Sequence, residues 1–403
     1  MIILIYSMPF LIYLCSSIFS TVLVINASKM GAAPFFISML GVSYGMGMMI
    51  TAGIFSKIRI PKKYYTNLIY IEAVMQMIIS ALCLIFMPME MSIFYSFLYG
   101  CSTTIFFVCF QSSLDIVSKD LPIRLSGALF IFSWSLGFAL GPSITGLIYD
   151  INYKIGFYIV IAMSFIIFIF FYLSRHLRFK ANRIKKFDEP FMRAPRYKVY
   201  IGWLIIFVGA LVLHTLRFMF LDYAIKEAGL SEAKASILVG SLSAFMAVGT
   251  LAGSFYLRFL EKKRVFTIIG LLAPIALTLI LISKNFYVFI VAFMFLGLVS
   301  GFGYFFGLYY ALADQENSSS NVAVNEALTG VAALVIPFSV GYLASHYSYF
   351  AGFLFMMIVS LICYIAAIVI MYNKRKAEVL FKEKLNNNDE KIENRIIKQS
   401  NMQ

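Results

Sequence analysis

Charge is scarce in this 403-residue chain. Asp, Glu, Lys and Arg together make up 13% of it, about half the share found in a soluble domain. Hydrophobic residues fill 61%, more than a soluble core can absorb, so a soluble enzyme or binding module is excluded. Histidine is rarer still. His176, His214 and His346 lie far apart and form no metal-binding cluster. The five cysteines, Cys15, Cys83, Cys101, Cys109 and Cys363, all fall inside apolar runs and make no C-x-x-C, so neither a disulfide framework nor a zinc site is expected. The segments between the apolar runs lack a serine–histidine constellation and a G-x-x-x-x-G-K-[ST] phosphate loop. A membrane-embedded enzyme and an ATP-driven pump are thereby disfavoured.

What the chain has in abundance is long apolar runs. About 20 apolar residues cross a bilayer as a helix, and that ruler finds twelve spans: 3–26, 33–56, 64–86, 91–114, 125–148, 153–173, 199–222, 235–257, 265–283, 287–312, 323–345 and 348–371. The first lacks a basic n-region and exceeds a secretory h-region, so it reads as a span rather than a signal peptide. The net charge of +14 does not indicate nucleic acid, because the basic residues sit in short blocks between spans. The loops after spans 2, 4, 6, 8 and 10 and the C-terminal tail hold 27 of the 33 Lys and Arg. The other loops hold Lys29, Lys154, Lys226, Lys234 and Lys284, and Arg217 lies inside a span. By the positive-inside rule both termini are expected in the cytoplasm, with the chain in a plasma membrane of the bacterial inner-membrane type.

The basic stretch "SRHLRFKANRIKKFDEPFMRAPRYK", residues 174–198, is the longest interruption. It predicts a cytoplasmic linker between two six-helix bundles, 1–173 and 199–372, followed by a polar cytoplasmic tail, 373–403. Internal repetition supports the division. "AGIFSKIRIPKK" (52–63) follows span 2 and "AGSFYLRFLEKK" (252–263) follows span 8, with Gly53 opposite Gly253. One position away from that register, Arg59 meets Arg258 and Asp115 meets Asp314. Pro142 and Gly146 in span 5 share their Pro-x-x-x-Gly spacing with Pro337 and Gly341 in span 11.

These features resemble the major facilitator superfamily: six plus six spans, a basic central loop, Gly-then-basic loops after spans 2 and 8, and "GFALGPSITG" (137–146) in span 5. Gly137, Gly141, Pro142 and Gly146 match that family's fifth-helix signature, which is common among exporters. The chain departs from the family in lacking an acid in the loop after span 2, an arginine in span 4 and an acid in span 1, so standard antiporter coupling is not implied. The resemblance implies an all-α fold of two six-helix bundles whose spans 1, 4, 7 and 10 line a central cavity. It also implies secondary transport of a small organic solute by alternating access, without a cofactor and as a monomer. Efflux is favoured by the span 5 motif. Proton-coupled or facilitative nutrient uptake and a non-translocating sensor are the alternatives, and a proton or other ion is a candidate co-substrate.

Candidate residues follow. In span 7, Trp203, Phe207, Ala210, His214 and Arg217 step by 4, 3, 4 and 3 and share one helix face. Tyr13 and Ser17 in span 1, Tyr99 and Thr103 in span 4 and Tyr304 in span 10 complete a candidate solute site. Arg217 lies roughly 10 Å beyond the middle of its span at 1.5 Å per residue. It either reaches the outer headgroups beside Asp222 or, with His214, faces the cavity and receives an anionic group. Glu72, with Gln76 one turn later, is a candidate coupling acid or a locally hydrogen-bonded group. Gly137, Gly141, Pro142 and Gly146 are candidates for a pliable interface between the bundles. Asp115 with Lys57 or Arg59, Asp314 with Arg258, and Glu326 reaching the loop after span 2 are candidate latches.

Overall fold

The computed structural model describes residues 2–58, 64–111, 121–174, 196–260, 262–313 and 318–373. They form twelve long helices and no strand: α1 (Ile2–Lys29), α2 (Pro34–Lys57), α3 (Tyr65–Ile85), α4 (Met91–Gln111), α5 (Ile123–Ile148) and α6 (Lys154–Ser174), then α7 (Arg196–Lys226), α8 (Glu232–Phe255), α9 (Lys263–Ile282), α10 (Phe286–Ala313) and α11 (Ser318–His346), and α12 (Tyr349–Asn373). A four-residue helix, Leu257–Leu260, sits between α8 and α9. The helices match the twelve apolar runs, with ends displaced by a few residues. Helices are what these runs must form, because lipid offers no partner to a free backbone N–H or C=O. Pro9, Pro142, Pro274 and Pro337 lie inside helices, which neighbouring helices in a membrane make tolerable.

Burial sorts the helices into central and peripheral. In the apolar stretches of α1 and α7, 89% of residues are buried, against 39% in α3 and α9 and 28% in α12. The peripheral helices show why. Ile71, Ile78, Leu82 and Ile85 on α3, and Ile358, Ile362, Ile365 and Val369 on α12, are exposed at helical spacing, which is a lipid-facing stripe.

The first six helices and the last six pack largely among themselves. Between the two sets, α2 lies against α11 and α5 against α8. Lipid tails are as apolar as leucine, so close approach rather than hydrophobic exclusion holds such pairs. Glycine provides it. A Cβ on Gly146 of α5 would lie 2.6 Å from Ser236 Cβ on α8. A Cβ on Gly341 of α11 would collide with Ser38 of α2, and one on Gly45 of α2 would lie 2.8 Å from Ala333 of α11. The two Pro-x-x-x-Gly motifs thus do the same work, each seating its helix on the first turns of a helix from the other set.

The ends of α1 and α7 also correspond. Gly31 (φ 79°) and Gly229 (φ 65°) are the positive-φ residues among those described, and each reverses the chain just past its helix, where the left-handed conformation favours glycine.

Candidate functional site

Arg217 sits where the two sets of helices meet. It lies in a five-residue π-helical segment of α7, Leu216–Phe220. One extra residue in that turn shifts the register, and such segments occur often at functional sites. The residue is 3% exposed, and its side chain points into the protein. Its Nη2 donates to the Ser16 carbonyl (2.6 Å) and to Ser20 Oγ, both on α1. The guanidinium lies over three rings: Phe138 of α5 at 4.3 Å, Tyr44 of α2 at 5.4 Å and Phe218 at 5.7 Å. The Tyr44 hydroxyl, hydrogen-bonded to Ser16 Oγ (3.1 Å), lies beside the group. Nε and Nη1 nevertheless find no acceptor in hydrogen-bonding geometry among the described residues. No carboxylate among those residues pairs with Arg217. A buried cation normally has a compensating partner, and this one has only dipoles and ring faces.

Asp222, one turn further on, serves elsewhere. It is fully buried, pairs with Lys226 (2.9 Å) and accepts hydrogen bonds from Ser28 Oγ (2.7 Å) and Tyr349 Oη. Lys226 also donates to the Ala32 carbonyl (2.6 Å). Nearby, Lys29 bridges Asp150 (3.1 Å) and Glu232 (3.0 Å). These contacts join the two sets of helices on one face of the bundle, the Lys29 face. Near the opposite face, Gln111 Nε2 at the end of α4 donates to Glu326 Oε1 in the third turn of α11 (3.0 Å). Contacts across the seam are therefore present toward both faces among the described residues. The space left beside Arg217, lined by Phe138, Pro142, Leu213, Val239, Leu242 and Ser243, is about 10 Å³, room for one water.

The other candidates fall into groups. Tyr13 and Tyr304 join the centre through Trp134, whose ring lies 5.3 Å from Tyr13 and 5.2 Å from Tyr304; Tyr13 also meets Phe138 at 4.7 Å. His214, one turn before Arg217, is buried with Nδ1 unpartnered among the described residues, and its ring lies 6.3 Å from Tyr44. Ser17 is turned toward α5, donating to the Gly137 carbonyl (3.0 Å). Tyr99 is stacked on Phe19 at 4.0 Å, and Thr103 donates to the Tyr99 carbonyl (2.9 Å), so both belong to packing within the first six helices. Trp203 packs on Tyr200, nearly four turns from Arg217 along α7.

Glu72 is fully buried and accepts from Gln76, whose Oε1 accepts from Ser164 Oγ of α6 (3.2 Å); these partners all lie in the first six helices. Gly137 and Gly141 press on α1 within that same set; of the motif's three glycines only Gly146 faces α8, while Pro142 lines the space shared with α8. Gly253 packs on Phe305 of α10, whereas a Cβ on Gly53 would meet open space. Arg59, Asp115 and Asp314 lie outside the described residues, as do the side chains of Lys57 and Arg258. For Glu326 the described partner is Gln111; residues 59–63 of the loop after α2 lie outside the described residues. Sequence reasoning did not single out Tyr44, Phe138 or Trp134. They carry no motif, and one aromatic among the 17% in this chain does not stand out.

Comparison with known proteins completes the description. The family model of the Major Facilitator Superfamily matches residues 5–316 and 203–401. Among solved structures, a mutant of the nucleoside transporter NupG superposes with a TM-score of 0.63 at 13% identity, covering 91% of this chain and 99% of that one. A bacterial homologue of the human lysosomal transporter Spinster, in an inward-facing and occupied conformation, superposes with a TM-score of 0.65 at 11% identity, covering 93% and 96%. At these identities the likeness is one of fold. No curated protein matches the chain in sequence.

Proposed function

This chain belongs to the major facilitator superfamily and is a membrane-embedded secondary transporter of a small molecule. From that premise we propose that it moves a small organic solute by alternating access, with the solute received at the seam around Arg217. One observation carries this reading: a buried arginine of α7 is held by α1, across the line where the two sets of helices meet. A site on that seam is exposed to one side or the other whenever the sets rock apart.

The two rocking units are residues 1–173 and 199–372, joined by the basic linker 174–198 and followed by the tail 373–403. The basic loops lie in the cytoplasm with both termini, so the Lys29 face is external. The Asp222 and Lys29 contacts then close the outer gate and Gln111–Glu326 closes the inner one. Efflux is the favoured direction, on the likeness of the α5 motif to that of exporters. A coupling acid has to sense the rocking. Glu326 hydrogen-bonds across the seam, whereas the partners of Glu72 all sit on one side of it, so Glu326 is the better placed of the two.

The test needs no knowledge of the solute. A single cysteine replacing Ser20, in protein freed of its native cysteines, is treated with a membrane-impermeant thiol reagent from each side of a sealed vesicle. Alternating access predicts reaction from both sides. Reaction from one side alone would reduce the protein to a receptor.

A further inference from the structure

We propose that the solute is an organic anion, its carboxylate, phosphate or sulfonate received by Arg217 and its flat apolar body laid against the rings of the seam. The proposal rests on the transport reading for its location and deepens it to a substrate class.

The first argument is charge. Arginine stays protonated in proteins, so Arg217 brings a full positive charge to a place that is 3% exposed. Buried charges are paired or coordinated, and no carboxylate among the described residues pairs with this one. The nearest acid along α7, Asp222, is committed to Lys226, Ser28 and Tyr349. Ring faces and the Ser16 carbonyl lower the cost of the charge without neutralising it.

The second argument is unused donors. Nε and Nη1 have no acceptor among the described residues, and charge-assisted bonds to an oxyanion are the strong form of what they can make. The void at Arg217 is walled by Leu213, Leu242 and Phe138 and carries Ser243 as a second polar residue. Its walls come from α5, α7 and α8, and so from both sides of the seam. At about 10 Å³ it holds a water and nothing organic, so an anion enters only when α5 and α8 part.

The third argument is the π segment. A regular helix would carry Arg217 round in register with Trp203 and His214. The π turn at Leu216–Phe220 places the arginine inside an irregular segment of the kind that occurs often at functional sites. From Phe138 the aromatic surface continues through Tyr13 and Trp134 to Tyr304, with ring centroids 4.7 to 5.3 Å apart. Such a wall offers ring faces to an aromatic or flat apolar body.

The experiment uses full-length protein in nanodiscs and four phenyl probes: benzoate, phenyl phosphate, benzenesulfonate and neutral benzamide. We expect at least one anion to raise the unfolding temperature with ligand concentration, and benzamide not to. The three anions also sort the acceptor chemistry among themselves. Arg217→Gln should weaken that anion at least about tenfold, the loss of one charge-assisted hydrogen bond. Arg217→Lys, which keeps the charge and loses the planar fork, should fall between. Each variant is compared with itself with and without ligand, so altered stability does not confound the result.

The proposal is overturned if no anion stabilises the protein at millimolar concentration, if benzamide does so equally, or if Arg217→Gln binds the anion unchanged. Flux in proteoliposomes separates it from its premise. Anion binding without flux ends the transport reading and leaves the anion site standing. Flux of a neutral solute that ignores Arg217→Gln ends the anion site and leaves transport standing.

Discussion

Adding one carbon to Gly146 is expected to open the Lys29 face. In the closed structure that carbon would lie 2.6 Å from Ser236 Cβ, 2.8 Å from Ser236 Oγ and 3.0 Å from the Glu232 carbonyl. Carbon atoms rest at about 3.5–4.0 Å, so α5 and α8 must separate by roughly 1 Å at this point. Overpacking of this size costs about 1–3 kcal/mol. Glycine-to-alanine within a helix returns roughly 0.5–1 kcal/mol through backbone entropy, but it does so in every conformation and cancels between them. The overlap does not cancel, because it exists only while α5 and α8 are pressed together. Gly146→Ala should therefore shift the population toward the state open at the Lys29 face by about 5- to 150-fold. Spin labels at Met30 and Glu227 straddle the seam on that face, and pulsed electron resonance would read the longer-distance population directly. Gly53→Ala is the control, since its new Cβ meets nothing within 4 Å. An unchanged distance distribution in folded Gly146→Ala, or an equal shift in the control, would refute the reasoning.

Three further outcomes are expected. Asp222→Asn leaves Lys226 without its carboxylate. Breaking a fully buried pair costs roughly 3–5 kcal/mol; the value here should be lower because the Lys226 side chain is 28% exposed. Lys29→Gln removes two ion pairs of a side chain that is 40% exposed and should cost less than about 1 kcal/mol, so thermal denaturation showing equal losses would contradict the ranking. Gly31→Ala and Gly229→Ala should each lose about 1–2 kcal/mol to the left-handed backbone, with Gly31→Asn losing less. No neighbour lies within 4 Å of either new Cβ, so only the dihedral is tested. Gln111→Ala removes the donor to Glu326 Oε1 and should weaken closure of the opposite face by about 1–3 kcal/mol, read as a longer distance between labels placed there and no change at the Lys29 face.

The number of helices and their repetition could be read from the apolar runs alone. Twelve runs long enough to span a bilayer admit one backbone solution in lipid, and the Pro-x-x-x-Gly spacing shared by 142–146 and 337–341, read in the sequence as repetition, falls where α5 and α11 seat on the opposite set. The sequence also marked Arg217 and His214 as anomalous, because a charge in an apolar run is visible without a structure. What it left open was direction. Arg217 turns inward because packing brings Ser16 and Ser20 of α1 to it and commits Asp222 to Lys226, Ser28 and Tyr349, neither of which a residue pattern announces. Asp222 and its three partners come from three helices, with Ser28 194 and Tyr349 127 residues away from it in the chain. The same holds for Tyr44, Phe138 and Trp134. In a chain this aromatic, a ring acquires meaning only from what packs against it. Helices were legible because each is decided by its own residues against the lipid; the site was not, because it is made by side chains that only tertiary packing brings together.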